Sequence, residues 1–205
     1  MRHITNPSHL ERTITVETLD LSIVVPKIQS VLALGMEGSG KTHFIGTFPK
    51  PILLYSFDSG YQTLAGEDGI RCKVFIEKDR RAPVVAQQFE VEFKKFLDGT
   101  EPKFKWADGH EEEFKTVALD PLSFLSQYMM HQIQYINHTT DKKPSWDEYD
   151  IILKRAVDLL IKCLRVTQER NAYLVATCHL RIDKDEDTGA LWFLPDMLGS
   201  VREKL

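Results

Sequence analysis

Short apolar runs alternate along this chain with stretches whose apolar residues recur at helical spacing. Ser30-Val31-Leu32-Ala33-Leu34 predicts a short buried strand, and Thr42 to Thr47 can open a helix. Phe48-Pro49-Lys50-Pro51 ends that helix, because proline lacks an N–H and fixes its own φ. Ile52-Leu53-Leu54-Tyr55-Ser56-Phe57 is nearly all apolar and predicts a parallel strand covered on both faces, ending at Asp58-Ser59-Gly60. Val74-Phe75-Ile76 predicts another short strand. Pro83 then stands at a first helical position, with Val85, Phe89, Phe93 and Phe96 along one face.

The stretch Asp98–Glu113, with Gly99, Pro102 and Gly109, reads as an exposed loop or hairpin whose acids Glu111, Glu112 and Glu113 are solvated. Lys115 to Asp120 predicts a strand that ends in an acid, and Leu122–Ile136 a helix of mixed apolar character. After a polar linker at Thr139–Pro144, Ser145-Trp146-Asp147-Glu148 forms a capping box, with Ser145 as N-cap and Glu148 at the third helical position. It opens an amphipathic helix carrying Tyr149, Ile152, Leu153, Ala156, Val157, Leu160 and Leu164. Tyr173–Thr177 predicts the last core strand, and a turn at Asp183–Gly189 makes Leu180–Pro195 a β-hairpin. This order predicts an α/β fold with a mostly parallel sheet, helices on both faces and a C-terminal β-hairpin, within residues 28–205. Residues 1–27 are polar, alternate weakly at Thr13-Ile14-Thr15-Val16 and reach Pro26, which predicts an N-terminal arm or edge strand.

Composition narrows the function classes. The 205 residues suit one domain with a substantial core, and a 42% hydrophobic share against 27% charged is ordinary for a globular protein. A net charge of −4 supplies no global basic field, so any DNA binding has to use a local patch or an oligomer. The three cysteines, Cys72, Cys163 and Cys178, are far apart and lack CxxC spacing, which points to a reducing compartment. No apolar run approaches membrane-spanning length and the N-terminus lacks a signal-peptide core, so the expected location is cytoplasmic.

The chemistry begins between the first strand and its helix. Gly35-Met36-Glu37-Gly38-Ser39-Gly40-Lys41-Thr42 is a complete G-x-x-x-x-G-K-[ST] phosphate-binding loop in strand-to-helix context, followed by His43. Its glycines let backbone N–H groups wrap phosphate oxygens, and the helix start adds partial positive charge. Lys41 is suited to the β- and γ-phosphates, and the Thr42 hydroxyl to Mg²⁺. Such a loop needs a second acid at a neighbouring strand end to hold the metal through its waters, and Asp120 has that position. The same position also suits an N-cap for the helix beginning at Pro121, a role compatible with the first. Asp58, at the end of the next strand, either orients the attacking water or terminates a turn. His179, after Val175-Ala176-Thr177-Cys178, either senses the γ-phosphate or is a structural group. None of the seven histidines has metal-site spacing.

Five segments, GMEGSGKTHF, FPKPILLYSFDSG, FKTVALDPLSFL, SWDEYDIILKRAVDLLIKCL and AYLVATCHLR, together resemble the phage-encoded RecA-like nucleotide-binding proteins. That AAA-type ATPase group includes phage single-strand-annealing recombinases. The resemblance covers about Ser30 to Leu198. It implies a RecA-like core, Mg²⁺-ATP as ligand, homo-oligomers, and action on single-stranded DNA with phage recombination or replication proteins in an infected bacterial cell. It gives Lys41 and Thr42 the phosphate-loop roles and Asp120 the magnesium role. Asp58 falls where the catalytic glutamate usually stands, and His179 where RecA has its γ-phosphate-sensing glutamine. Asp58 is one methylene shorter than glutamate, which implies slow hydrolysis. Few residues follow the hairpin, which implies a small sheet or one completed by a neighbouring subunit. Arg202 and Lys204 are candidates for an inter-subunit cationic finger or plain surface charges, and Lys142, Lys143, Arg181 and Lys184 for DNA contacts.

Two other classes use the same loop. A small-molecule or nucleotide kinase needs an arginine-rich lid, and here only Lys78-Asp79-Arg80-Arg81 is clustered. A nucleotide-gated partner protein or helicase loader needs no turnover. Loaders usually carry two adjacent acids in the second motif, whereas Pro121 follows Asp120. No guanine-reading N-K-x-D segment is present, which makes ATP the expected nucleotide.

Overall fold

In a computed structural model, described for residues 29–197, the strands run β1 (Ser30–Gly35), β2 (Ile52–Ser56), β3 (Ile70–Val74), β4 (Phe104–Lys105), β5 (Glu111–Glu112), β6 (Thr116–Asp120), β7 (Tyr173–Lys184) and β8 (Leu191–Pro195). The helices are α1 (Lys41–Ile45), α2 (Val85–Leu97), α3 (Leu122–Ile136) and α4 (Trp146–Glu169), with a 3₁₀ turn at Gly60–Leu64. The predicted arm at residues 1–27 and the finger candidates Arg202 and Lys204 lie outside the described residues.

Five parallel strands form the main sheet in the order β1-β7-β6-β2-β3. β8 pairs antiparallel with the far half of β7, Leu180 opposite Pro195 and Lys184 opposite Leu191. The expected parallel sheet and C-terminal hairpin are both present. β2 and β6 lie inside the sheet and are buried at every position, as their continuous apolar runs require. Parallel pairing brings the C-terminal ends of all five strands to one edge, where ligands of open α/β sheets bind.

The two faces are unequal. One carries the larger core, in which Leu53, Tyr55, Val117, Leu119, Leu174 and Ala176 meet α2, α3 and α4. On the other, Ile52, Leu54, Ala118 and Val175 form a smaller core with Ile45 of α1 and Leu64 of the 3₁₀ turn, against which the half-buried Phe48, Tyr61, Ile70 and Cys72 pack. The Phe89 and Phe93 rings of α2 stand edge-on to Tyr55 at 5.6 and 5.4 Å, so the four-residue apolar period read in the sequence is the packed face. The α4 capping box closes reciprocally. Ser145 Oγ accepts from Glu148 N at 3.3 Å and Glu148 Oε2 from Ser145 N at 2.8 Å. The second carboxylate oxygen of Glu148 accepts from Thr139 Oγ1 at 2.6 Å, so the cap also fixes the loop before it.

Four boundaries differ from the sequence reading. α2 begins at Val85 with Val84 as its N-cap, so Pro83 stands just before the helix and not at its first position. β3 is Ile70–Val74, not Val74–Ile76. It is an edge strand whose alternate residues Arg71 and Lys73 carry charges, Lys73 reaching Glu101 at 2.6 Å. β7 runs on to Lys184, because the strand enters the hairpin without a break. α1 is only five residues long, ended by the approach to Pro49, so its dipole adds little at the phosphate loop.

Candidate functional site

The phosphate loop leaves β1 at Gly35 and enters α1 at Lys41. Gly38 and Gly40 have φ of 73° and 83°, in the left-handed region that side chains disfavour. At Gly35 the constraint is space, since a Cβ there would come within 3.3 Å of the Ser39 Cβ and closer still to its hydroxyl. Ser39 N donates to Met36 O at 3.2 Å and tightens the turn. Glu37 and His43 are exposed; the His43 carbonyl accepts from Gly46 N, which closes α1. Lys41 Nζ folds back over the loop and donates to Gly35 O at 3.0 Å and Met36 O at 2.8 Å. A phosphate group in the loop offers that ammonium a charged partner in place of two neutral ones.

Asp120 is 1% exposed and faces two hydroxyls. Thr42 Oγ1 donates to its Oδ2 at 2.6 Å, and Thr177 Oγ1 donates to its Oδ1. The structure therefore brings the two metal candidates into direct contact across 78 residues of sequence. Hard oxygen donors of this kind suit Mg²⁺, which takes one or two protein groups and completes its shell with phosphate oxygens and waters. Among the described residues no group of three or more His, Cys, Asp or Glu side chains could hold an ion. Thr42 and Asp120 would hold the magnesium, which when bound neutralises charge on the phosphates. Burial is the main influence on the Asp120 carboxyl and raises its pKa; nearby Asp58 raises it further, against the two hydroxyl bonds and Lys41.

Asp120→Asn is expected to leave nucleotide binding measurable and to remove most of its dependence on magnesium. Without ligand, the variant also has a pH signature. Between the unfolded carboxylate pKa and the raised folded one, the folded state binds more protons, so Asp120 makes stability fall as pH rises through that window. The melting temperature of the variant relative to wild type should rise over that window. A difference that does not change with pH would overturn the shift.

Asp58 stands just beyond β2, on the strand-end edge that carries the loop. Its Oδ1 accepts from Gly60 N at 2.7 Å, the turn geometry foreseen as one of its two readings. The same turn lies close to the phosphate loop. A Cβ on Gly60 would lie 2.9 Å from both Asp58 Oδ1 and Thr42 Oγ1, so the two side chains flank one glycine that has no room for substitution. Tyr128 OH donates to Phe57 O at 2.9 Å and fixes the backbone just before Asp58. His179 lies opposite Gly35 in the β1/β7 register. Its ring stands edge-on to Phe124 at 5.6 Å, and its backbone N–H donates to Ser123 Oγ at 2.9 Å. The three thiols are free, and burial pushes Cys163 up to about 12 and Cys72 up to about 11, which removes them as nucleophiles.

Thr177, Ser123 and Tyr128 were not singled out from the sequence. Thr177 and Ser123 are polar groups in apolar surroundings, 0% and 1% exposed, which is the signal they carry. Their partners follow only from strand register, which sets Ala176 opposite Leu119 and so Thr177 beside Asp120.

A family model described as an AAA domain matches residues 27–205. The chain belongs to the AAA domain family. No curated protein matches it. Membership makes the chain a P-loop nucleotide-binding protein of a family that generally hydrolyses ATP, and the parallel sheet with its loop after β1 is an α/β RecA-like core. Among the described residues no helix of this AAA domain is long and apolar enough to cross a membrane.

Proposed function

We propose that this AAA domain is a magnesium-dependent ATPase of slow turnover that assembles as a homo-oligomer on single-stranded DNA during phage recombination or replication. The observation that carries the nucleotide half is the Thr42–Asp120 contact beside Lys41, which assembles a phosphate loop and a metal acid from distant segments. In this reading Lys41 neutralises the transferred phosphoryl group and Asp58 orients the attacking water. His179, beside the first glycine of the loop, reports the γ-phosphate to the hairpin that follows.

The DNA half rests on the resemblance to phage RecA-like proteins. It draws support from the β7–β8 ribbon, where Trp192 and Phe193 are more than half exposed beside Lys184, a combination suited to stacking bases. Arg181 is a weaker contact, being within 3.4 Å of Asp183. A nucleotide-gated partner protein without turnover is the second reading, favoured by the Gly60 N–H on Asp58. Phosphate release measured with no acceptor, with and without single-stranded DNA, separates them. The proposal expects slow release that DNA accelerates, and no release in either condition would leave the gated switch or a kinase.

A further inference from the structure

A cavity of about 780 Å³ opens between the segment that follows β3 and the loop that joins α3 to α4. It belongs to the strand-end edge of the sheet, but β3 and β1 are its opposite margins, with β2, β6 and β7 between them. It is thus a feature separate from the phosphate loop.

The cavity is held in shape by a buried side chain. Gln134, 0% exposed, donates from Nε2 to Lys142 O at 3.0 Å on one rim and accepts at Oε1 from Arg80 Nη2 at 3.2 Å on the other. Arg80 also donates to Thr140 O at 3.3 Å, which ties the rims directly. The charge lining the space is four cations, Arg80, Arg81, Lys142 and Lys143, against two acids, Asp79 and Asp141. None of the four cations is in an ion pair among the described residues; Arg80 meets only neutral acceptors. Asp79 already accepts from Arg81 N at 2.9 Å. An excess of positive charge here runs against the net charge of −4 of the whole chain. No aromatic residue lines the space, so it offers a ligand charge and hydrogen bonds and no stacking platform.

From this cleft we infer that Arg80, Arg81, Lys142 and Lys143 bind the phosphodiester backbone of a single-stranded nucleic acid, independently of its sequence. The inference rests on the proposed action on single-stranded DNA, and adds the Arg80–Arg81 rim, which no hairpin or nucleotide contact involves. A volume of this size accommodates more than one phosphate group, as a strand requires.

The test is fluorescence anisotropy of a labelled oligo-dT with the full chain at several salt concentrations, without nucleotide, with ADP and with a non-hydrolysable ATP analogue. Four phosphate contacts give a slope of log affinity against log salt of about −3. Combining Arg81→Ala, Lys142→Ala and Lys143→Ala should weaken binding tenfold or more and flatten the slope by about 2. The thermal shift with magnesium and ATP should stay at the wild-type value, and the Lys142→Arg, Lys143→Arg double variant should bind like wild type. If the triple variant keeps wild-type affinity and slope, the cleft is not the site and the DNA reading stands. If the wild-type chain binds no oligonucleotide in any nucleotide state at low salt, both fall. Displacement of the oligonucleotide by a poly-glutamate peptide of equal charge at lower concentration would assign the cleft to an acidic protein partner and overturn the inference.

Discussion

Lys41→Ala is expected to erase the thermal stabilisation that magnesium and ATP give the wild-type protein, while leaving the ligand-free melting temperature nearly unchanged. A ligand at a hundred times its dissociation constant stabilises the folded state by about 2.7 kcal/mol. For a domain of this size that corresponds to a rise of roughly 5–10 °C. The whole rise depends on the loop holding the phosphates. In the ligand-free chain the ammonium of Lys41 is hydrogen-bonded to two carbonyls of its own loop. Removing it should cost the fold within about 0.5 kcal/mol, as for an ordinary surface substitution. Melting curves of both proteins, with and without Mg²⁺-ATP, decide the matter. A variant that shifts like wild type would mean that the phosphate loop does not bind nucleotide.

That loop was legible in the sequence because its chemistry is contiguous, eight residues with a strand before and a helix after. The same holds for α3, whose Leu122–Ile136 limits were read as observed, and for the Ser145–Glu148 cap, since helix period and capping are local signals. β3 was harder. Ile70, Cys72 and Val74 do alternate with Arg71 and Lys73, but those charged residues find partners on the hairpin side, Arg71 on the carbonyls of Pro102 and Lys103 and Lys73 on Glu101. Nothing local announces that an edge strand's charges will be matched from 28 to 32 residues away.

The site divides along the same line. Asp120 could be placed at a strand end from its apolar run, but not its two hydroxyl partners, because Thr177 reaches it through the β6–β7 register. The sequence left Asp58 with two readings. The turn uses only Oδ1 of the short carboxylate, on the Gly60 N–H, so the turn does not by itself displace the catalytic reading. Glutamate at this position would carry its oxygens farther from that N–H, so the aspartate trades reach for a fixed turn.

Asp58→Asn separates those readings, since asparagine keeps a side-chain oxygen able to accept from Gly60 N and loses only the charge. Turn geometry, and with it the fold and Mg²⁺-ATP binding, should survive, so the thermal shift with ligand should match wild type. Phosphate release should fall by about two to three orders of magnitude, because a neutral amide neither polarises the water nor accepts its proton. That loss corresponds to about 3–4 kcal/mol in the barrier. A drop of this size with ligand binding intact would place the charge of Asp58 on the reaction path. Equal turnover in the two proteins would reduce Asp58 to the residue that shapes the turn, and the water would have to be oriented by another group at the same strand edge, with His179 the next to be replaced.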